Sequence, residues 1–514
     1  MKAANRVAVN TTVQYIQLVL NVLIGLYSVR VILDALGPSD YGIYDLVAGV
    51  VAFLSFISTS LSQTSMRFLS VSLGQGDNLK TRKVFSTCLW LHLSIALLLA
   101  GVLIILGFFL FDGFLNIPAE RIPTARKLYY LMVFNLFLKI SETPFTAMIS
   151  AHEKFVFISS VQILDALCKL GIAFIISATS SDKLLLYGIL MLCITFINVI
   201  CYVSFSYTSY REKMSFRMAK LAEMKEVTGF ASWTLLDVLG SVATRQGYAI
   251  LLNTFFGTVV NAVFALSRQI EGHMYTISAS AITTMKPQIM KSHGAGQTDR
   301  MFRLSMTAGK FGFSLMSLVA IPLLVTMPEV LDLWLKEVPE GTVLFSRLMI
   351  AACMCEQLTR GLVYANQAIG NIKWFSVSIS TIRVLALPIS WLFFHWGAPP
   401  YAAIIVFLVC ESVGSFSRVY ILSRISDFKV SSFVRSVFLQ ILPPFIVALA
   451  LSLISYHFLS GIWGILVVCV VNLIAYVSMM ALTGLTKDER NSVQGIIDSV
   501  LHRRGKIRIF NHGK

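Results

Sequence analysis

Charge is scarce in this 514-residue chain: only 13% of residues are Asp, Glu, Lys or Arg, against 56% hydrophobic. The mean hydropathy is +0.76. Such a composition excludes an ordinary soluble fold and fits a membrane protein. The longest polar stretches are a loop from Tyr210 to Lys225 and the tail after Thr486, neither long enough for a soluble domain. A nucleotide-binding or glycosyl-transfer domain outside the membrane therefore has no place in the chain. No Gly-x-x-x-x-Gly-Lys-Ser/Thr loop occurs, so the chain alone is not a primary pump. Cysteine carries little information, because Cys88, Cys168, Cys193, Cys201, Cys353, Cys355, Cys410 and Cys469 all fall in apolar runs. There they act as small apolar residues. Cys353 and Cys355 have no His partners for a zinc site. The histidines, His92, His273 and His395 among them, show no metal-ligand spacing, and no cofactor is expected.

Long apolar runs are abundant. Hydropathy marks about 14 spans, each near the ~20 residues a helix needs to cross a bilayer. The expected fold is an all-α polytopic membrane protein. The first run, at 9–33, lacks a small-residue cleavage site and is too long for a signal-peptide core. Loop charges set the orientation. With the N-terminus in the cytoplasm, cytoplasmic segments collect about 27 Lys and Arg and the opposite side about 5. Arg211, Lys213, Arg217, Lys220 and Lys225 crowd one loop; Arg503, Arg504, Lys506 and Arg508 crowd the tail. Most of the net charge of +16 is thus a topology signal rather than a nucleic-acid surface. The tail also carries Ile496, Ile497, Val500 and Leu501, a composition suited to an interfacial helix on anionic lipid or to docking other export components.

The chain repeats itself at an offset of about 220 positions. Gly37 falls on Gly257, Tyr44 on Phe264, Ser60 on Ser280 and Thr64 on Thr284. Gly74 and Gly76 fall on Gly294 and Gly296, and Lys80 on Arg300. The offset spans six predicted helices, and an even number makes the repeat parallel. The expected division is an N-lobe at 1–208, a cytoplasmic linker at 209–225, a C-lobe at 226–424, two extra helices at 425–484 and a basic tail at 485–514. Two such lobes around a midplane site are the architecture of alternating access. Pro144, Pro287, Pro322, Pro388, Pro443 and Pro444 lie inside predicted spans, where proline kinks a helix.

The string Leu36-Gly37-Pro38-Ser39-Asp40-Tyr41-Gly42-Ile43-Tyr44 resembles the signature of Wzx-type polysaccharide flippases, within the multidrug/oligosaccharidyl-lipid/polysaccharide exporter superfamily. Two further strings carry the resemblance: Arg67-Phe68-Leu69 leading to Gly74-Gln75-Gly76-Asp77, and Pro144-Phe145-Thr146-Ala147 leading to Ala151-His152-Glu153-Lys154-Phe155. The resemblance covers the first twelve spans and is strongest in the first five. It implies two six-helix bundles around a cationic cavity. It also implies an undecaprenyl-pyrophosphate-linked oligosaccharide turned to the outer leaflet of a bacterial inner membrane, for O-antigen or other surface polysaccharide. It supplies no catalytic signature.

Site residues are therefore chosen by charge and depth. Charges facing lipid cost several kcal/mol, so those inside spans are expected to face a bundle interior or cavity. Arginine suits phosphate because its planar fork donates bidentately. Arg245, Arg383, Arg268 and Arg30 are the phosphate candidates. Asp237 and Glu411 are candidates for coupling to H+ or Na+, since a buried carboxylate can take up a proton. Lys139 with Glu142, Asp165 with Lys169, Arg268 with Glu271, and Glu356 with Arg360 share helix faces and read as structural pairs. Arg67, Lys286 and Lys310 lie near the cytoplasmic boundary and are expected to snorkel. Trp90, Trp233 and Trp374 lie near span ends, as interfacial Trp does. Competing readings are a cation-coupled multidrug antiporter, which favours an acidic cavity, and a polysaccharide polymerase or ligase. The latter is at odds with the short outer loops around Phe111 to Pro123 and Met327 to Gly341.

Overall fold

The computed structural model describes residues 3–52, 55–111, 117–179, 182–218, 221–335, 337–459, 461–486 and 489–491. The end of the basic tail lies outside the described residues, as does the side chain of Arg30. In chain order the helices are α1 (Ala3–Ala52), α2 (Ser55–Gly74), α3 (Asn78–Phe109), α4 (Ile122–Ala151), α5 (Phe155–Ala178), α6 (Lys183–Tyr210) and α7 (Leu221–Gly294). They continue with α8 (Thr298–Trp334), α9 (Thr342–Ile369), α10 (Lys373–His395), α11 (Ala402–Ile425), α12 (Val430–Phe433), α13 (Leu439–Phe458) and α14 (Gly461–Met479). No strand occurs among the described residues. Ten described stretches are helical, long and apolar enough to cross a membrane, and the protein is an all-helical polytopic membrane protein.

The longest helices are broken where the repeat predicts equivalence. Within α1 the helical path stops at Gly37 (φ 76°, ψ 164°), and within α7 at Gly257 (φ 80°, ψ −171°). Both glycines sit at positive φ, which a side chain disfavours. Gly37 also precedes Pro38, whose ring pushes the preceding residue out of the helical region and whose fixed φ suits a new helix start. In α8 the break at Thr326 (φ −101°, ψ 25°) lies two residues before Pro328. Proline lacks an N–H, so the Leu324 carbonyl four residues back loses its helical donor. Arg347 of α9 replaces it, donating from Nε to Leu324 O at 2.8 Å and from Nη2 to Val325 O at 3.3 Å. The α3 start has a conventional cap: the Asp77 side chain accepts from the Lys80 amide at 2.9 Å.

The described residues form two compact units. An N-terminal unit comprises Asn10–Val238 with Met290–Gln297; a C-terminal unit comprises Met1–Val9, Leu239–Ile289 and Thr298–Lys514. In the N-terminal unit Leu103, Leu128, Tyr129, Ile140 and Ala173 are buried, and the Tyr129 hydroxyl donates to Leu103 O at 2.7 Å. Trp90 is tied to the linker: its indole donates to Phe216 O and Arg217 O at 3.3 and 3.1 Å. In the C-terminal unit Tyr248, Phe264, Phe345, Ala386 and Phe394 form one core. Helices α13 and α14 pack on α8 through Ile321, Ala448 and Tyr476, with Asn472 Nδ2 donating to Leu318 O at 2.9 Å. Large exposed side chains such as Leu98, Phe109, Phe416 and Trp463 suit a lipid surround rather than water.

Candidate functional site: a buried arginine–glutamate cluster

Four helices of the C-terminal unit bring opposite charges together inside apolar sequence. Glu356 and Arg360 lie one turn apart on α9 and pair directly. Glu411 and Arg418 lie seven residues apart on α11, two turns along one face. Between them Arg383 of α10 donates from Nη2 to Glu356 Oε1 at 3.0 Å and from Nε to Glu411 Oε1 at 2.8 Å. Arg418 reaches both carboxylates, with Nη2 at 3.5 Å from Glu356 Oε1 and 3.7 Å from Glu411 Oε2. Its Nη1 also donates to Glu356 O at 3.3 Å and Thr359 Oγ1 at 3.2 Å. On α7, Arg245 Nη2 donates to Glu271 Oε1 at 3.1 Å, across the Gly257 break. Arg360 also donates to the Tyr275 hydroxyl and stacks its guanidinium 4.6 Å from that ring. The α7 pair is electrostatically joined to the rest, since Arg245 acts on Glu356, and Glu356 and Glu411 both act on Glu271.

Counting Arg268, the cluster holds five arginines against three glutamates, a surplus of two positive charges. The arginines are not equivalent. Side-chain exposure runs from 2% at Arg418 through 12% at Arg383 and 24% at Arg360 to 39% at Arg245. Arg418 and Arg383 are enclosed and divided between two carboxylates. A buried pair broken by loss of one partner leaves an uncompensated charge costing about 3–5 kcal/mol, so these two hold the helices in place. Arg245 is open. Arg268 lies near it, its guanidinium carbon 5.8 Å from the Phe264 ring centroid, and its Nε is buried with no hydrogen-bond partner.

Of the four phosphate candidates, the structure gathers Arg245, Arg268 and Arg383 into this cluster; the Arg30 side chain lies outside the described residues. Glu271, read as the partner of Arg268, hydrogen-bonds Arg245 and also lies within electrostatic range of Arg268. Glu411, read as a coupling carboxylate, is bonded to Arg383. Asp237 is half-buried in the other unit. Sequence reasoning passed over Arg418. The seven-residue spacing from Glu411 was the available signal.

The N-terminal unit has a smaller cluster. Lys169 Nζ lies 2.6 Å from Asp165 Oδ2, and Asn198 of α6 donates to Asp165 Oδ1 at 2.7 Å. Lys139 and Glu142 of α4 lie within electrostatic range of Asp165. The three residues expected to snorkel do not. Lys310 is 1% exposed and pairs with Glu489, also donating to Gln440 Oε1 at 2.7 Å and Gly484 O at 2.9 Å. Lys286 is buried with its ammonium 5.1 Å from the Tyr364 ring. Arg67 lies between Phe68 and Phe230, 4.6 and 4.5 Å from the two ring centroids. In each case the cation has protein partners in place of a path to the interface.

The fold is a membrane-embedded helical bundle with charges enclosed in each unit. Solved structures share it over most of the chain. One is "MATE transporter ClbM in complex with Rb+" (TM-score 0.67, 16% identity, covering 84% of this chain and 95% of that one). Another is an outward-facing multidrug resistance MATE family transporter of the MOP superfamily (TM-score 0.67, 13% identity, 82% and 96% covered). A third is a MOP superfamily transporter from Pyrococcus furiosus whose title reports reverse polarity of the binding pocket (TM-score 0.64, 13% identity, 83% and 96% covered). At these identities the likeness is one of fold. By sequence the chain is similar to the uncharacterized membrane protein EpsK of Bacillus subtilis, 21% identical over 336 residues, 64% of this chain. The match covers 65% of that protein, less than two thirds of its length. No family model matches the chain.

Proposed function

We propose that the protein is a flippase for a polyprenyl-pyrophosphate-linked oligosaccharide, working by alternating access in the bacterial inner membrane without covalent chemistry. The observation that carries this reading is the cluster's surplus of two positive charges, with the half-buried Arg245 side chain 39% open and Arg268 Nε without a hydrogen-bond partner. A pyrophosphate bridge is a dianion, and it matches both the sign and the size of that surplus. Guanidinium forks bind such oxygens bidentately. The lipid tail of the substrate stays in the bilayer, so only the headgroup needs a polar path. Arg360, Arg383 and Arg418 neutralise Glu356 and Glu411, and Glu271 is bonded to the more open Arg245. That leaves Arg245 and Arg268 as the contacts. Coupling to a proton or sodium gradient through Asp237 or Glu411 belongs to the same proposal.

A cation-coupled multidrug antiporter is the second reading, favoured by the multidrug transporter among the solved structures with this fold. It requires a cluster that attracts cations, and five arginines against three glutamates give a surplus of the opposite sign. Mass spectrometry of polyprenyl lipids from cells lacking the protein separates the two. Accumulation of a pyrophosphate-linked oligosaccharide, cleared by the restored gene and accompanied by a sidedness defect, supports flipping. An unchanged lipid profile with altered sensitivity to cationic drugs supports the antiporter.

A further inference from the structure

Residues 71–80 and 291–300 show the same sequence of helix, turn and exposure, position by position, at the offset of the repeat. In both, a helix ends on a glycine (Gly74 or Gly294) and a second glycine at positive φ turns the chain, Gly76 at 72° and Gly296 at 71°. The two helix ends touch. A Cβ on Gly74 would stand 2.1 Å from the Lys291 carbonyl oxygen, and one on Gly294 would stand 2.1 Å from the Val71 carbonyl oxygen. The offset carries Val71 onto Lys291 and Gly74 onto Gly294, so one contact is the image of the other. This is a self-complementary pairing of the kind found at twofold interfaces, formed within one chain. Each glycine directs an α-hydrogen at a carbonyl, an approach no other residue permits.

One ion pair supports the contact. Lys291 Nζ lies 3.0 Å from Glu153 Oε1, and Asn10 Nδ2 donates to Glu153 O at 3.0 Å. Glu153, at the α4–α5 turn, is the one non-glycine residue at positive φ (62°) among the described residues. Packing places Met290–Gln297 in the N-terminal unit, whereas the residues directly before and after the segment belong to the C-terminal unit.

We propose that residues 290–297 form a releasable latch, docked on the end of α2 and the α4–α5 turn in one state of the transport cycle and detached in the other. A contact made chiefly of backbone suits that use. Cα–H···O interactions are individually weak, and undocking uncovers the Glu153 carboxylate, 6% exposed in the docked form, to water. Lys291 is already 28% exposed, so its charge stays hydrated when the pair opens. The latch lies at the end of the protein where the α2–α3 and α7–α8 turns meet, and it works whatever the cargo.

Spin labels at Gln75 and Ala295, both exposed, report the latch by pulsed electron resonance on the full chain in nanodiscs. The distances are read without substrate, so this result is independent of the flippase reading. Two distances are expected, one short and one long. Gly74→Ala or Gly294→Ala should raise the long-to-short ratio about tenfold, the size usual for overpacking a close contact. Lys291→Ala adds no bulk and should raise the ratio about threefold, so it serves if the glycine variants do not fold. A single short distance unchanged in Gly74→Ala, or in Lys291→Ala where that variant alone folds, would overturn the proposal. So would full transport by protein cross-linked between positions 75 and 295.

Discussion

Each unit encloses charges among its helices, but the two clusters are built on different terms. In the N-terminal unit Lys139, Glu142, Asp165 and Lys169 balance, and an asparagine amide completes the coordination of Asp165. In the C-terminal unit arginines outnumber carboxylates, and Glu356 is shared among Arg360, Arg383 and Arg418. A balanced cluster carries no net charge to attract an ion from outside. One with a surplus must hold an anion, or tolerate repulsion, in a medium where charges are poorly screened. The comparison separates charge that builds the bundle from charge that is available for binding.

The largest effect that tests this difference is expected at Arg383. Arg383→Ala strips a partner from both Glu356 and Glu411 and should destabilise the C-terminal unit by about 3–5 kcal/mol. The check is thermal unfolding of the purified variant, and a normal melting curve would show that the pair is not structural. Arg245→Ala should behave in the opposite way. Its side chain is the most open of the four paired arginines of the cluster, so melting should stay within a few degrees of wild type while, on the flippase proposal, export falls ~100-fold, the scale of a lost charge-assisted contact. Lipid-linked oligosaccharide accumulation measures that fall, and Arg245→Lys should recover only part of it.

In the N-terminal unit the effects should be smaller and should cancel. Asp165→Asn and Lys169→Ala together should cost less than the sum of the single changes, with a coupling of about 0.5–1 kcal/mol. Additive losses would mean that the two residues do not act as a pair. The smallest effect concerns acid. His152, at the α4–α5 turn, stacks on Tyr210 with centroids 3.9 Å apart, and Lys213 Nζ lies 3.3 Å from its Nε2. Burial pushes its pKa down to about 4 from 6.5. A folded pKa below the unfolded one gives stability that is intact above pH 6.5 and lost as pH falls towards 4. Acidification from pH 7 to 5 should therefore lower the melting temperature by a few degrees, and His152→Gln should blunt that response.

The repeat was legible because glycines at positive φ leave a mark in sequence: Gly37 and Gly257, then Gly76 and Gly296, stand at one offset and share one conformation. Charge pairs one turn apart were legible for a similar reason, since helical spacing brings them together within a single element. Partner choice between helices was not. Arg245 takes Glu271 from beyond a helix break, and Arg383 joins two other helices, neither of which follows from spacing. The burial of Lys310 was also hidden, because its partners Gln440 and Glu489 come from elements far along the chain.

The breaks at Gly37 and Gly257 have a mechanical consequence. A connection of one residue contributes at most ~3.6 Å of chain, so the helical arms on either side have no slack between them. Each pair is tied end to end, so the facing ends of the two arms must move together even where the joint bends. Flexible residues inserted after either glycine would act as a clutch, leaving both arms folded while disconnecting the motion of one from the other.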